Sequence, residues 1–243
     1  YCRMASISDK QIKVLGKGGF MDDLEVRRYQ MLTRVRDFLA ARPNAFSTDS
    51  LGGELTSTIR MVVDNLTNHA VAQSSGTSEA RKGSISKAVA RAALREDLQA
   101  IRRTARAIAL DSPEVIEKFR IPRSNSDQLL LNTARAFLAD ATPLAQEFLR
   151  YEIPANFLDD LKQDIADFEQ AINTFNAGTE TQVSATAAID DTMDKGINAV
   201  RKLDPIIRNK YRDDPALLSA WISASHTERA SRIASTPKTP PSS

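Results

Sequence analysis

Proline and glycine are missing from long stretches of this chain. No proline lies between Pro43 and Pro113 or between Pro154 and Pro205, and no glycine lies between Gly83 and Gly178. Proline costs a helix interior about 3 kcal/mol and glycine about 1 kcal/mol, so these spans are free to form helices far longer than three or four turns. Cysteine is nearly absent. Cys2 alone excludes an intrachain disulfide and leaves thiol catalysis without a partner. Aromatics make up 6% of the residues against 42% hydrophobic, a composition that suits a helical bundle. No run approaches the roughly 18 consecutive apolar residues of a membrane span. The formal net charge of +2 marks neither a polyanion nor an evident nucleic-acid binder.

Catalytic and metal motifs are also lacking. There is no Gly-x-Ser-x-Gly element and no Glu-x-x-His pair of the kind that builds di-iron sites in bundles. Gly16-Lys17-Gly18-Gly19 lacks the preceding strand and the following Lys-Ser/Thr of a phosphate loop. His69 falls at a core phase without further ligands at helical spacing and reads as a boundary histidine with one satisfied nitrogen. His226 suits a helix C-terminus. No catalytic, cofactor-binding or metal residue is therefore assigned, and no cofactor is expected.

What the chain does contain is helical periodicity. Residues 1–21 read as a flexible lead-in. Asp22 or Asp23 caps a helix to about Arg42, with Met21, Leu24, Met31, Val35 and Phe38 on one face. A second helical stretch runs over about 50–110. Leu55, Ile59, Val62 and Leu66 mark its first part, and Leu94, Leu98, Ile101, Ala105 and Ile108 its second. Between them Gly76 to Gly83 is either a loop joining two helices or a frayed joint in one.

Ser112 and Pro113 open a short helix to about residue 120. Ser126 or Asp127 caps the next, over 126–152, with Leu130, Ala134, Phe137, Ala141, Leu144, Phe148 and Tyr151 in phase. At Pro143 it is either one kinked helix or two abutting ones, with Thr142 capping the second. The clearest pattern is Leu158, Leu161, Ile165, Phe168, Ile172 and Phe175, at the head of a helix over about 155–212 that blurs near Gly178 to Ser184. Asp214-Pro215 starts a terminal helix to residue 226, with Trp221 as its anchor. Residues 227–243 read as a disordered Ser/Thr/Pro-rich tail, and its Pro237-Lys238-Thr239-Pro240 fits a PxxP pattern. The expected fold is an all-α, elongated antiparallel bundle over residues 22–226, with two long helices and several shorter ones.

Charge divides between the two long stretches. Residues 81–106 hold eight Lys or Arg against two acids, and residues 152–194 hold ten acids against one base. Arg91, Arg95, Arg102 and Arg106 lie on one stripe beside the Leu94/Leu98/Ile101 seam, and Asp160, Asp164 and Asp167 lie on another. The expectation is that the two stripes meet, as charges beside a coiled-coil seam do. The other reading is that the Arg stripe is a surface for nucleic acid or anionic lipid. No aromatic residue accompanies it to stack on bases.

Ser126-Asp127-Gln128-Leu129-Leu130, Leu158-Asp159-Asp160-Leu161 through Phe168-Glu169, and Ala220-Trp221 with its basic, proline-bearing tail resemble a group of bacterial all-helical proteins. The resemblance spans about residues 22–235, implies the same fold, and brings no site residues with it.

The functional expectation is a non-catalytic protein acting through its surface as a scaffold, adaptor or assembly subunit, with a protein partner or self-association. The alternatives are an electrostatic nucleic-acid binder using the Arg stripe of residues 81–106, and a membrane-active helical bundle. Met4 reads as the natural start. The cytoplasm is the expected location unless an export signal precedes the given chain.

Overall fold

The computed structural model describes residues 21–124 and 126–228. The described residues contain no strand and form seven α-helices: α1 (Asp23–Ala40), α2 (Leu51–Ile108), α3 (Val115–Lys118), α4 (Asp127–Ala141), α5 (Ala145–Arg150), α6 (Phe157–Lys210) and α7 (Pro215–Ser225). A 3-10 turn, Thr142–Leu144, joins α4 to α5. The all-α class and the two long helices follow the sequence pattern. The lead-in before Met21, with Cys2 and the Gly16–Gly19 run, lies outside the described residues, as does the tail beyond Glu228. The expected 22–226 bundle divides into two compact units. Of the described residues, the first comprises 21–74 together with 183–228, the second those of 75–182, and each long helix contributes a segment to both.

In the first unit, Asp22 caps α1 through a capping box. Its carboxylate accepts from the Glu25 N–H at 2.7 Å, and Glu25 accepts from the Asp22 N–H at 2.6 Å. Tyr29, Leu32 and Leu39 join Met31, Val35 and Phe38 in the core, whereas Leu24, assigned to that face by spacing, is exposed. Residue 24 shares the face of Met31 and Val35 but stands on the first turn, where it stays exposed. Gln73 of α2 donates to Thr186 of α6 at 2.8 Å, and Gly196 of α6 stands beside Val62 of α2, so the two segments run antiparallel. A Cβ at Gly196 would lie 2.8 Å from both Leu32 and Val62. Trp221 anchors α7 as its spacing implied. It is fully buried, packs on Phe38 at 5.5 Å, and donates its indole N–H to Asp204 at 2.7 Å. Pro205 sits inside α6, one residue beyond that acceptor.

In the second unit, α2 and α6 again run antiparallel, and here the blurred stretches of the pattern find their cause. Gly76 to Gly83 is neither loop nor frayed joint: α2 is continuous through it. A Cβ at Gly76 would lie 2.7 Å from the Gln182 nitrogen, one at Gly83 would lie 2.6 Å from the Phe175 nitrogen, and one at Gly178 would meet the Ala80 backbone. The helices touch backbone to backbone, so large apolar residues are missing there because they do not fit. Further along, Leu94, Leu98, Ile101 and Ala105 meet Leu161, Ile165 and Phe168, with α4 and α5 closing the core through Phe137 and Phe148. Phe119 stands edge-on to both of these rings, at 5.2 and 5.6 Å.

Three local expectations change. Helix α3 is a single turn beginning at Val115, later than Ser112-Pro113 implied, and Ser112 contributes only its carbonyl, to the Val115 N–H at 3.1 Å. Thr142 does not cap a second helix; its hydroxyl donates back to the Leu138 carbonyl at 2.6 Å, and the 3-10 turn absorbs Pro143. Tyr151 is exposed rather than in the core, because α5 ends at Arg150 and Glu152 takes a φ of 59° that turns the chain away.

Candidate interaction surfaces on the second unit

Helix α2 presents three different faces in this unit: one to α6, one to α4 and one to solvent. The first half of the Arg stripe, Arg91 and Arg95, lies toward α4 and the loop before it, not toward the acidic stripe. Ser126 caps α4 by accepting from the Leu129 N–H at 3.3 Å, which places Asp127 in the first turn. Arg91 pairs with Asp127, Lys87 reaches the same carboxylate at 3.1 Å, and Arg95 donates to the Ser124 carbonyl at 3.2 Å. Arg102 is half-buried, its Nε covered and without an acceptor, and Arg106 is exposed. Among the described residues, none of Arg95, Arg102 and Arg106 forms an ion pair. The four positions of the stripe therefore divide: Arg91 and Arg95 fasten the start of α4, and Arg102 and Arg106 have no ion-pair partner among the described residues.

The residue that meets the acidic stripe is Asp97. The expected Arg–Asp pairing across the long helices is replaced by a carboxylate cluster, because position 97 faces α6 while 91 and 95 face α4 and the loop before it. Asp97 is raised from the usual 3.8 to about 6, first by burial, then by the charges of Asp164, Asp160 and Glu96. Burial and the neighbouring Asp167 and Asp160 raise Asp164 as well. One oxygen of Asp97 is buried with no donor facing it, and protonation would let this carboxyl donate to Asp164. Asp160 accepts from Asn156 at 3.0 Å and Asp167 from Gln163 at 2.9 Å. A cavity of about 90 Å³ opens beside the cluster, between Asp97, Asp160, Ile153 and Phe157. Among the described residues, no group of three or more His, Cys, Asp or Glu is arranged to hold a metal ion, and no helix is long and apolar enough to cross a membrane. His69 is half-buried on α2 of the first unit, and the His226 carbonyl accepts from Arg34 at 2.6 Å.

The third face of α2 escaped the sequence reading. Ile85 is 64% exposed and Val89 66% exposed, with Ala88 and Ala92 exposed beside them. At 100° per residue these four positions form one line, opposite Leu94 and Leu98. The signal was present in the sequence as an apolar i, i+3, i+4, i+7 set out of phase with the next seam. The dominant seam masked it.

Comparison with family models, characterised proteins and solved structures finds no match.

Proposed function

We propose that the protein is a non-catalytic helical scaffold, adaptor or assembly subunit that works by protein contact along the solvent face of α2. The observation that carries this reading is the run Ile85, Ala88, Val89 and Ala92, exposed in the middle of a long helix. Single exposed apolar residues are ordinary on protein surfaces. Four on one helical line are the footprint of a helix that receives a partner. Burying a Val or Ile side chain is worth about 1.5–3 kcal/mol, so covering this line supplies a driving force that the isolated chain leaves unused.

The test is photo-crosslinking in cells, with a photoreactive residue at Ala88 or Ala92. Protein adducts are expected there, and they should vanish when Ile85 and Val89 are both changed to Glu. Absence of any protein adduct from either position would overturn the reading.

A second reading rests on Arg102 and Arg106, which lack ion-pair partners among the described residues: an electrostatic surface for a polyanion such as nucleic acid. Such binding would weaken steeply with salt. Changing Arg102 and Arg106 to Glu should abolish it, while Ile85→Glu with Val89→Glu should leave it intact.

A further inference from the structure

The exposed line on α2 extends beyond its apolar centre. Continued at the same phase it reads Ser78, Arg81, Ile85, Ala88, Val89, Ala92, Glu96 and Gln99, all exposed. Large and small residues alternate through its centre, Ile85, Ala88, Val89 and Ala92, and the flanking Arg81 and Glu96 carry opposite charges. Reversing the direction of this line about a point between Ala88 and Val89 maps it onto its own complement. Ile85 falls opposite Ala92 and Val89 opposite Ala88, so each large side chain meets a small one. Arg81 falls opposite Glu96, and Ser78 opposite Gln99. A two-fold axis demands this property of a surface, that the same patch serve both partners.

Resting on the surface-contact reading above, we infer that the occupant of this stripe is a second copy of the chain, its α2 lying antiparallel to the first across a two-fold axis between Ala88 and Val89. The charges argue for this register. Arg81 and Glu96 are separated by about 22 Å along one helix, too far to serve each other within a chain. Across the axis each finds its opposite in the other copy, so the Arg81–Glu96 pair forms twice. In a parallel pairing, by contrast, Arg81 would meet Arg81 and Ile85 would crowd Ile85. The contact runs about 32 Å from Ser78 to Gln99 and involves one helix face from each copy. That is the scale of a weak, concentration-dependent dimer rather than an obligate one.

Sedimentation equilibrium of the full chain over a wide concentration range provides the test, with circular dichroism to verify that each variant keeps its helix content. Wild type should dimerise, and the Ile85→Glu, Val89→Glu double variant should stay monomeric. Arg81→Glu and Glu96→Arg should each weaken the dimer roughly tenfold. Combining them in one chain should restore it, because each reversed residue again meets its opposite. Spin labels at Ser78→Cys, in a Cys2→Ser chain, should sit about 30 Å apart along the helix axis, whereas a parallel pairing would bring them close together. A dimer indifferent to these changes, a pair of reversals that fails to rescue, or closely spaced labels would overturn the inference. A chain that stays monomeric but still yields adducts at Ala88 with another protein would overturn self-pairing and leave the surface-contact reading standing. A monomer with no adducts would remove both.

Discussion

Helices α2 and α6 of the second unit meet in two different ways along their length, and the two stretches obey opposite rules. Near Gly76, Gly83 and Gly178 the backbones touch and side chains are excluded. From Leu94 onward, large apolar side chains fill the space between the helices. The close approach is faint in sequence because its residues are small, whereas the wider seam stands out because Leu, Ile and Phe recur at three and four. Both are packed. Periodicity of large residues thus reports how far apart two helices stand, and its loss signals close approach as readily as it signals a loop. The difference also places charge: beside the wider seam Asp97 is held against Asp160 and Asp164, where like charges oppose the contact that the apolar residues make.

The largest effect should come from the wide seam. Phe168 is fully buried there, and Phe168→Ala is expected to cost about 3–5 kcal/mol, read from chemical denaturation followed by circular dichroism. A cost under about 1 kcal/mol would mean that the seam is not packed as described.

At the close approach the informative change adds an atom instead of removing several. Gly178→Ala should stabilise an ordinary helix by about 1 kcal/mol. Here the added methyl meets the Ala80 backbone, so a net loss of about 1–3 kcal/mol is expected. A gain in stability would show that the backbones do not touch.

The carboxylate cluster sharpens the comparison through pH. The folded-state value of Asp97, about 6, lies above its usual 3.8, so the folded chain binds a proton more tightly than the unfolded chain does. Stability should therefore rise as pH falls from about 7 to about 5, and decline again as pH climbs through about 6. The partial exposure of the site limits the gain to about 1–2 kcal/mol. Asp97→Asn, neutral at every pH, should be more stable than wild type near pH 7, and the difference should shrink by about pH 5. Equal pH profiles for the two proteins would dissolve the cluster.

The smallest effect is expected one residue away from the buried ring on α6. Asp167 is exposed beside Phe168, and Asp167→Ala should change stability by under about 1 kcal/mol. Comparable losses at 167 and 168 would mean that the face assignment is wrong.

Much of the fold was legible because helix formation is a local matter. Spacing placed Leu94, Leu98, Ile101, Leu161, Ile165 and Phe168 in the core, and Asp22, Ser126 and Asp214 cap α1, α4 and α7 as their residue types suggest. Errors gathered where one helix meets another. Leu24 and Tyr151 have the right residue type and phase but stand where no second element covers them. The candidate site was legible only as composition: eight bases on one stretch and ten acids on the other could be counted, but not their partners.

By itself, then, the sequence determined which segments are helical and which side of most helices is apolar, because backbone propensity and the 3.6-residue repeat act within a few turns. Tertiary structure decided the rest. It alone set that Arg91 turns to Asp127 and not to Asp160, that Asp97 faces a row of carboxylates, and that Gly76, Gly83 and Gly178 let two backbones touch. It also decided that the line through Ile85 and Val89 stays uncovered. These outcomes depend on the rotation and separation of helices whose contacts lie far apart in the chain, and no local pattern encodes that geometry.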